Sequence, residues 1–259
     1  MIFFIQNKTS SILTLITSFL MLLFFSSCQN SEHTEHNIFQ SFYYPSDEWV
    51  EGMVYEYQPV NNAELPVEYW YFRKTKIDSS IFMTGQYIDQ TFTPRQLFNA
   101  EIKEHGAFIT NYILYEYDSL GNVAQNPAEI LDASSFPFGK LDSTSIYPLR
   151  LKWDNPTEEY PDGYIEIIRK RQLTGNATYS FKNQSYDCLE FQLNETVDDF
   201  NDGHLEKKYQ GKELYAKNLG LIYYKKEIDE NFVLEYELRD TFSMAKLEEK
   251  FKTFLSDEN

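Results

Sequence analysis

From about residue 48 onward, apolar side chains return at every second position, a period that fits a pleated strand and not a helix. In Phe232-Val-Leu-Glu-Tyr-Glu-Leu-Arg239, the residues Phe232, Leu234, Tyr236 and Leu238 share one face, while Glu235, Glu237 and Arg239 share the other. One apolar and one wet face mark a strand of an antiparallel sheet. Comparable runs are Met53–Gln58, Glu68–Arg73, Ile81–Ile88, Ala107–Tyr117, Leu149–Trp153, Tyr164–Lys170, Ala177–Phe181, Tyr186–Leu193, Leu205–Tyr209, Glu213–Ala216 and Leu221–Glu227. Tyr, Phe, Ile and Val dominate them, residues that suit a half-buried pleated surface. Between the runs stand Gly121-Asn122, Asp162-Gly163, Gly175-Asn176, Asp202-Gly203 and Asn218-Leu219-Gly220. Each offers a residue that tolerates positive φ where the chain reverses. The tally predicts a mainly β fold, a curved antiparallel sheet forming a half-barrel or barrel.

The end of the chain breaks this pattern. Met244, Leu247, Phe251 and Phe254 recur at spacings of three and four, with Lys and Glu around the remaining circumference. That predicts an amphipathic C-terminal helix over about 243–255, capped by Ser243 or Asp240 and packed on the sheet. The stretch Asn122–Ser145, with Pro127, Pro137, Gly139 and several Asp and Ser, reads as a long loop.

The aromatic load, 20 Tyr, 21 Phe and 3 Trp, excludes disorder, because it supplies enough apolar area to offset ordering entropy. In Tyr69-Trp70-Tyr71-Phe72 and Tyr223-Tyr224 the aromatics fall on both faces of their strands, so one set fills the core and the other is left for pairing, a ligand or a partner. The 40 acidic side chains outnumber 23 basic ones, a formal charge of −17, which argues against nucleic acid as a partner. Two cysteines exclude a disulfide scaffold and an all-thiolate zinc cage.

Residues 1–27 carry one charge, Lys8, followed by an apolar run from Ile12 to Phe25 and then Ser26-Ser27-Cys28. This order is that of a secretory signal, and the run falls short of the roughly 20 apolar residues of a membrane span. Phe25-Ser26-Ser27-Cys28 resembles the lipobox of bacterial lipoproteins. That resemblance implies lipidation of Cys28, including palmitate, and a lipid anchor in the outer membrane of the cell envelope. Residues 28–41 then read as a polar tether, and 42–259 as a single β domain with no further membrane segment. Cys28-Gln29-Asn30-Ser31-Glu32 is loosely similar to the export signals of surface lipoproteins in the Bacteroidota, so either face of that membrane is open. With Cys28 acylated, Cys188 has no intrachain partner and reads as a small apolar filler.

No Gly-x-Ser-x-Gly, His-Glu-x-x-His, Walker-type loop or Cys-x-x-Cys occurs. Glu32-His33-x-Glu35-His36 offers metal-ligand types but lies in the tether, where ordering four ligands costs entropy. Asp198-Asp199-Phe-Asn201-Asp202-Gly203-His204-Leu-Glu206 is reminiscent of a calcium loop. Aligning Gly203 with the loop glycine puts Phe200 at a ligand position and Tyr209 in place of the bidentate Glu, so an acidic hairpin tip fits better. His105 and His204 read as loop or strand-edge residues. No catalytic residue, cofactor or metal is therefore expected.

The passage Glu213–Lys225, with Tyr186–Phe191 before it and Phe232–Leu238 after it, resembles a recurrent element of uncharacterised β-rich envelope lipoproteins of the Bacteroidota. More distantly the chain is similar to lipoprotein carriers of the LolA and LolB type, a half-barrel with a helix over its open side. Three readings follow. The first is a non-catalytic outer-membrane lipoprotein acting as an interaction or accessory module for an envelope partner. The second, implied by the carrier resemblance, is a carrier or sensor of an apolar, acyl-chain ligand held between sheet and helix. The third is a hydrolase using carboxylates such as Glu190, Glu195, Asp198 and Asp199.

Overall fold

The structure is a computed structural model that describes residues 39–49, 51–117, 120–139 and 143–257. The signal and Cys28 lie outside the described residues, as does Glu32-His33-x-Glu35-His36. Among the described residues the strands are β1 (Met53–Pro59), β2 (Glu68–Ile77), β3 (Ser80–Ile88), β4 (Pro94–Lys103), β5 (Gly106–Tyr117), β6 (Val123–Pro127), β7 (Glu129–Pro137), β8 (Ile146–Asp154), β9 (Tyr164–Phe181), β10 (Gln184–Asn201), β11 (Gly203–Ala216), β12 (Gly220–Glu227) and β13 (Val233–Phe242). One helix follows, α1 (Met244–Asp257).

Each strand pairs antiparallel with its neighbour in sequence, and β13 returns to β1, so the meander closes into a barrel. The strands β6 and β7 act as one interrupted stave. The outer half of β5 pairs with β6, its first residues pair with β7, and between them the Ala128 N–H donates to the Tyr112 carbonyl at 2.9 Å. Counted this way the barrel has twelve staves, closed through the β4–β5 and β1–β13 ladders.

The inward positions alternate as the sequence pattern requires. Tyr55, Tyr57, Phe72, Met83, Ala100, Phe136, Phe191, Tyr215, Ile222, Tyr236 and Leu238 form one buried cluster in the lumen. On the outer wall, one register row runs Gln172, Gln192, Lys212, Lys225, Glu235. A polar row outside a buried aromatic cluster is the reverse of the apolar band that a membrane-spanning barrel presents to lipid.

The end where β1 begins, here the base, is stopped by residues 39–49. Ser41 accepts from the Asn218 N–H at 2.6 Å, and the Phe39 N–H donates to Phe138 at 3.2 Å. The Tyr44 ring stacks on Phe72 with centroids 4.1 Å apart, and Tyr43 packs against Phe136 and Phe138. The opposite end, the mouth, carries the β1–β2, β5–β6, β10–β11 and β12–β13 connections.

Three sequence expectations need correction. The stretch Asn122–Ser145 contains β6 and β7 and is no long loop; its Pro, Ser and Asp mimic a loop, but the ladders on β5 and β8 satisfy its backbone. Gly175-Asn176 is no turn, since β9 runs through it with a bulge opposite Glu190, and the reversal comes at Lys182-Asn183, both at positive φ. The helix α1 covers no open side, because the barrel closes without it. It lies on the outer wall, where Leu247 and Phe251 pack on Val54, Ile88 and Phe242, and Val54 and Leu247 are fully buried. A closed barrel with an external helix thus departs from the carrier half-barrel.

The helix begins where expected, with Ser243 Oγ accepting from the Lys246 N–H at 3.4 Å. Lys250 and Arg239 neutralise Glu56 beneath it. The long β9–β10 hairpin reaches β13, as Tyr179 Oη donates to Glu237 at 2.6 Å and Lys182 pairs with Asp240. Cys188 lies buried in this region, its thiol pushed up to about 11 by burial.

Candidate functional site

Strand alternation places a band of charge inside the lumen. On β9, Ile167, Arg169, Arg171 and Leu173 occupy successive inward positions, and they face Glu195 on β10, Glu213 on β11 and Lys226 on β12. Arg171 Nε donates to Glu213 Oε2 at 2.7 Å and its Nη2 to Oε1 at 3.3 Å, with Tyr215 Oη adding a bond at 3.2 Å. Glu195 is shared by two cations. Arg169 donates from Nε at 2.7 Å, and Lys226 bonds the other carboxylate oxygen while resting on the Tyr209 ring at 4.3 Å.

Exposure divides this band. The Glu195 side chain is 1% exposed, whereas Arg169 is 32% and Lys226 23% exposed, so solvent from the mouth reaches the cations and not the carboxylate between them. Burial alone would raise the Glu195 carboxyl, but Arg169 and Lys226 override it and hold the group down to about 2. Burial likewise opposes ionisation of Glu213, and Arg171 overcomes it. Across the lumen Glu68 is in the opposite condition. It accepts from Tyr224 Oη at 2.5 Å and from Trp70 Nε1 at 3.4 Å, and burial raises its carboxyl above the ordinary range.

The carboxylates considered for hydrolysis do not converge. They sit on one strand with alternating faces: Glu195 points into the lumen, while Glu190 lies beside Lys212 at 3.5 Å on the outer wall. Asp198 is bound to His204 Nδ1 at 2.7 Å, and Asp199 accepts from the Asn201 amide at 2.8 Å. His204 therefore has a partner. His105 lies 3.9 Å from Glu104 at the β4–β5 reversal. Asp198–Glu206 is a hairpin, with Asn201 opposite Gly203, and among the described residues no three His, Cys, Asp or Glu are placed to hold a metal.

The sequence reading missed Arg169, Arg171, Glu213 and Lys226. The signal was present, because Arg169 and Arg171 fall in phase with Ile167 and Leu173, on the face that alternation assigns to the core. A cavity of about 440 Å3 also lies at the base, between the stopper and the wall, lined in part by Tyr43, Tyr44, Lys74, Ile81, Phe138 and Asn218. The Asp47–Lys74 ion pair spans its edge.

No protein-family model matches the chain, and no curated protein matches it. Two solved structures are similar to it. One is a candidate lipoprotein from Parabacteroides distasonis ATCC 8503, 13% identical, covering 78% of this chain and 98% of its own, with a TM-score of 0.49. The other is a candidate exported protein with a YmcC-like fold from Bacteroides fragilis NCTC 9343, 11% identical, covering 78% of this chain and 99% of its own, again with a TM-score of 0.49.

Proposed function

We propose that this protein is a non-catalytic lipoprotein of the cell envelope, held to the outer membrane by lipid on Cys28, whose barrel serves as an interaction module for an envelope partner. The observation that supports this reading most is the polarity of the barrel. A wall with a polar row such as Gln172–Glu235 outside a buried aromatic cluster suits a body that stands in water, so attachment falls to the segment before it, where the lipobox-like Phe25–Cys28 lies. The lumen carboxylates on the β9–β11 wall are neutralised by fixed cations and are poor proton donors at neutral pH. The mouth, opposite the end where the chain comes in, exposes Val60, Val123, Leu205 and Phe232 on or beside its connections. Such side chains suit contact with a partner.

The test has two arms. Cys28→Ser should release the protein from membranes and abolish palmitate incorporation; retention after a high-salt wash refutes the anchor. A photo-crosslinking residue at Leu205 or Phe232 should give a discrete adduct in cells, and one at Ile146 or Ile77 near the base should not. Equal adducts from both ends, or none, refute the mouth as the contact surface.

A further inference from the structure

The charged band in the lumen is uneven. Among the described residues Arg169, Arg171 and Lys226 stand on the β9–β12 wall against Glu195 and Glu213, while across the lumen burial pushes the Glu68 carboxyl toward its neutral form against the hydrogen bonds from Tyr224 and Trp70. Both Glu213 oxygens are taken by Arg171 Nε and Nη2, which leaves Arg171 Nη1 buried and without a hydrogen-bond partner. The residue itself is 7% exposed. A second unsatisfied group lies nearby. Tyr43 Oη, carried in by the base stopper beside Ser135, is buried and makes no geometric hydrogen bond, and its ring reaches the Arg171–Glu213 pair through Phe136 and Tyr215. Buried polar groups are ordinarily satisfied. Here two lack a partner at the ends of one packed run, Tyr43–Phe136–Tyr215–Glu213–Arg171, inside a chain whose net charge of −17 otherwise repels anions.

We propose that the lumen binds an anionic group, a carboxylate, phosphate or sulfate, that accepts from Arg171 Nη1 and Tyr43 Oη and is drawn in from the mouth past Arg169 and Lys226. The guanidinium supplies directed donors, and the two half-exposed cations supply the field at the mouth. This inference is independent of the envelope role. A water molecule would satisfy the two donors but leave the surplus charge unmatched, so the two occupants differ in their response to added anion.

The purified protein is titrated with inorganic phosphate at constant ionic strength, and binding is read by calorimetry and by the unfolding midpoint. Saturable binding is expected, with a midpoint that rises with phosphate. Lys226→Met removes the surplus cation while leaving Glu195 its Arg169 partner, and should weaken binding about tenfold. The double variant Arg171→Met with Glu213→Gln removes the donor without stranding a buried carboxylate, and should abolish binding. If that variant fails to fold, Glu213→Gln alone enlarges the surplus and should tighten binding about tenfold. Decyl phosphate separates the sources: tighter binding than inorganic phosphate marks an amphiphile headgroup, equal binding a free anion, and both sustain the site. No saturable binding, or the same rise in every variant, overturns it.

Discussion

The two ends of the barrel are filled by different chemistry. At the base, Tyr43 and Tyr44 enter a nest of Phe72, Tyr55, Phe136 and Phe138, and ring against ring excludes water. Toward the mouth, Arg169, Glu195 and Lys226 occupy positions of the same inward rows, with solvent at the cations. Aromatic packing contributes stability wherever it can form, whereas a buried ion pair returns little net stability against an apolar replacement of equal size. The base is therefore the end that holds the fold, and the charged band is retained for what it faces.

The largest effect should come from emptying the base. Tyr43→Ala removes a buried ring from an aromatic cluster and should lower the unfolding free energy by about 3–5 kcal/mol. Tyr209→Ala, inward but half-exposed near the mouth, should cost about 1 kcal/mol. Urea unfolding measures both. Equal losses would break the contrast between the ends.

Acid should act on the charged wall in a defined direction. Glu195 is held down to about 2 in the folded protein against an ordinary value of 4.5. Its contribution is fully present above the ordinary value and is lost as pH falls from about 5 toward 2, about 3 kcal/mol in all. Glu68, raised by burial, works the other way: its contribution is favourable at acid pH and is lost as pH rises through its folded value. Urea midpoints from acid to neutral pH should thus fall in acid, Glu195→Gln should flatten that limb, and Glu68→Gln should leave it unchanged while raising midpoints near neutrality. An acid limb that survives in Glu195→Gln would move the sensitivity to other carboxylates.

How much of this was legible in the sequence depended on which residues carried the period. Strands rich in Tyr, Phe and Ile, such as β1 and β13, announced themselves. In β4 the inward positions are Gln96, Phe98, Ala100 and Ile102, and the short or polar members hid the alternation. In β7, Asp132, Ser134 and Ser135 did the same, and only long-range pairing with β5 and β8 makes it a strand. Closure was not legible either, because β1 meets β13 across nearly the whole chain and no local pattern records that pairing. For the candidate site, Glu195 was singled out as a carboxylate and its cations were not. They come from β9 and β12, and their convergence is a property of barrel register.

The smallest contrast isolates one contact of the stopper. Gly220 and Gly203 both adopt positive φ, +91° and +104°, where a side chain is strained by about 1 kcal/mol. Their surroundings differ. A Cβ on Gly203, at the mouth hairpin, would meet nothing, whereas a Cβ on Gly220 would come within 2.6 Å of the Tyr44 ring, itself packed on Phe72. Gly203→Ala should therefore cost only the backbone strain. Gly220→Ala should cost about 1–2 kcal/mol more, because the ring must move out of a packed nest. The comparison cancels the common backbone strain, so the difference reports how firmly the stopper is seated. If both variants lose the same stability, Tyr44 yields without resistance, and the base is no more firmly packed than the mouth.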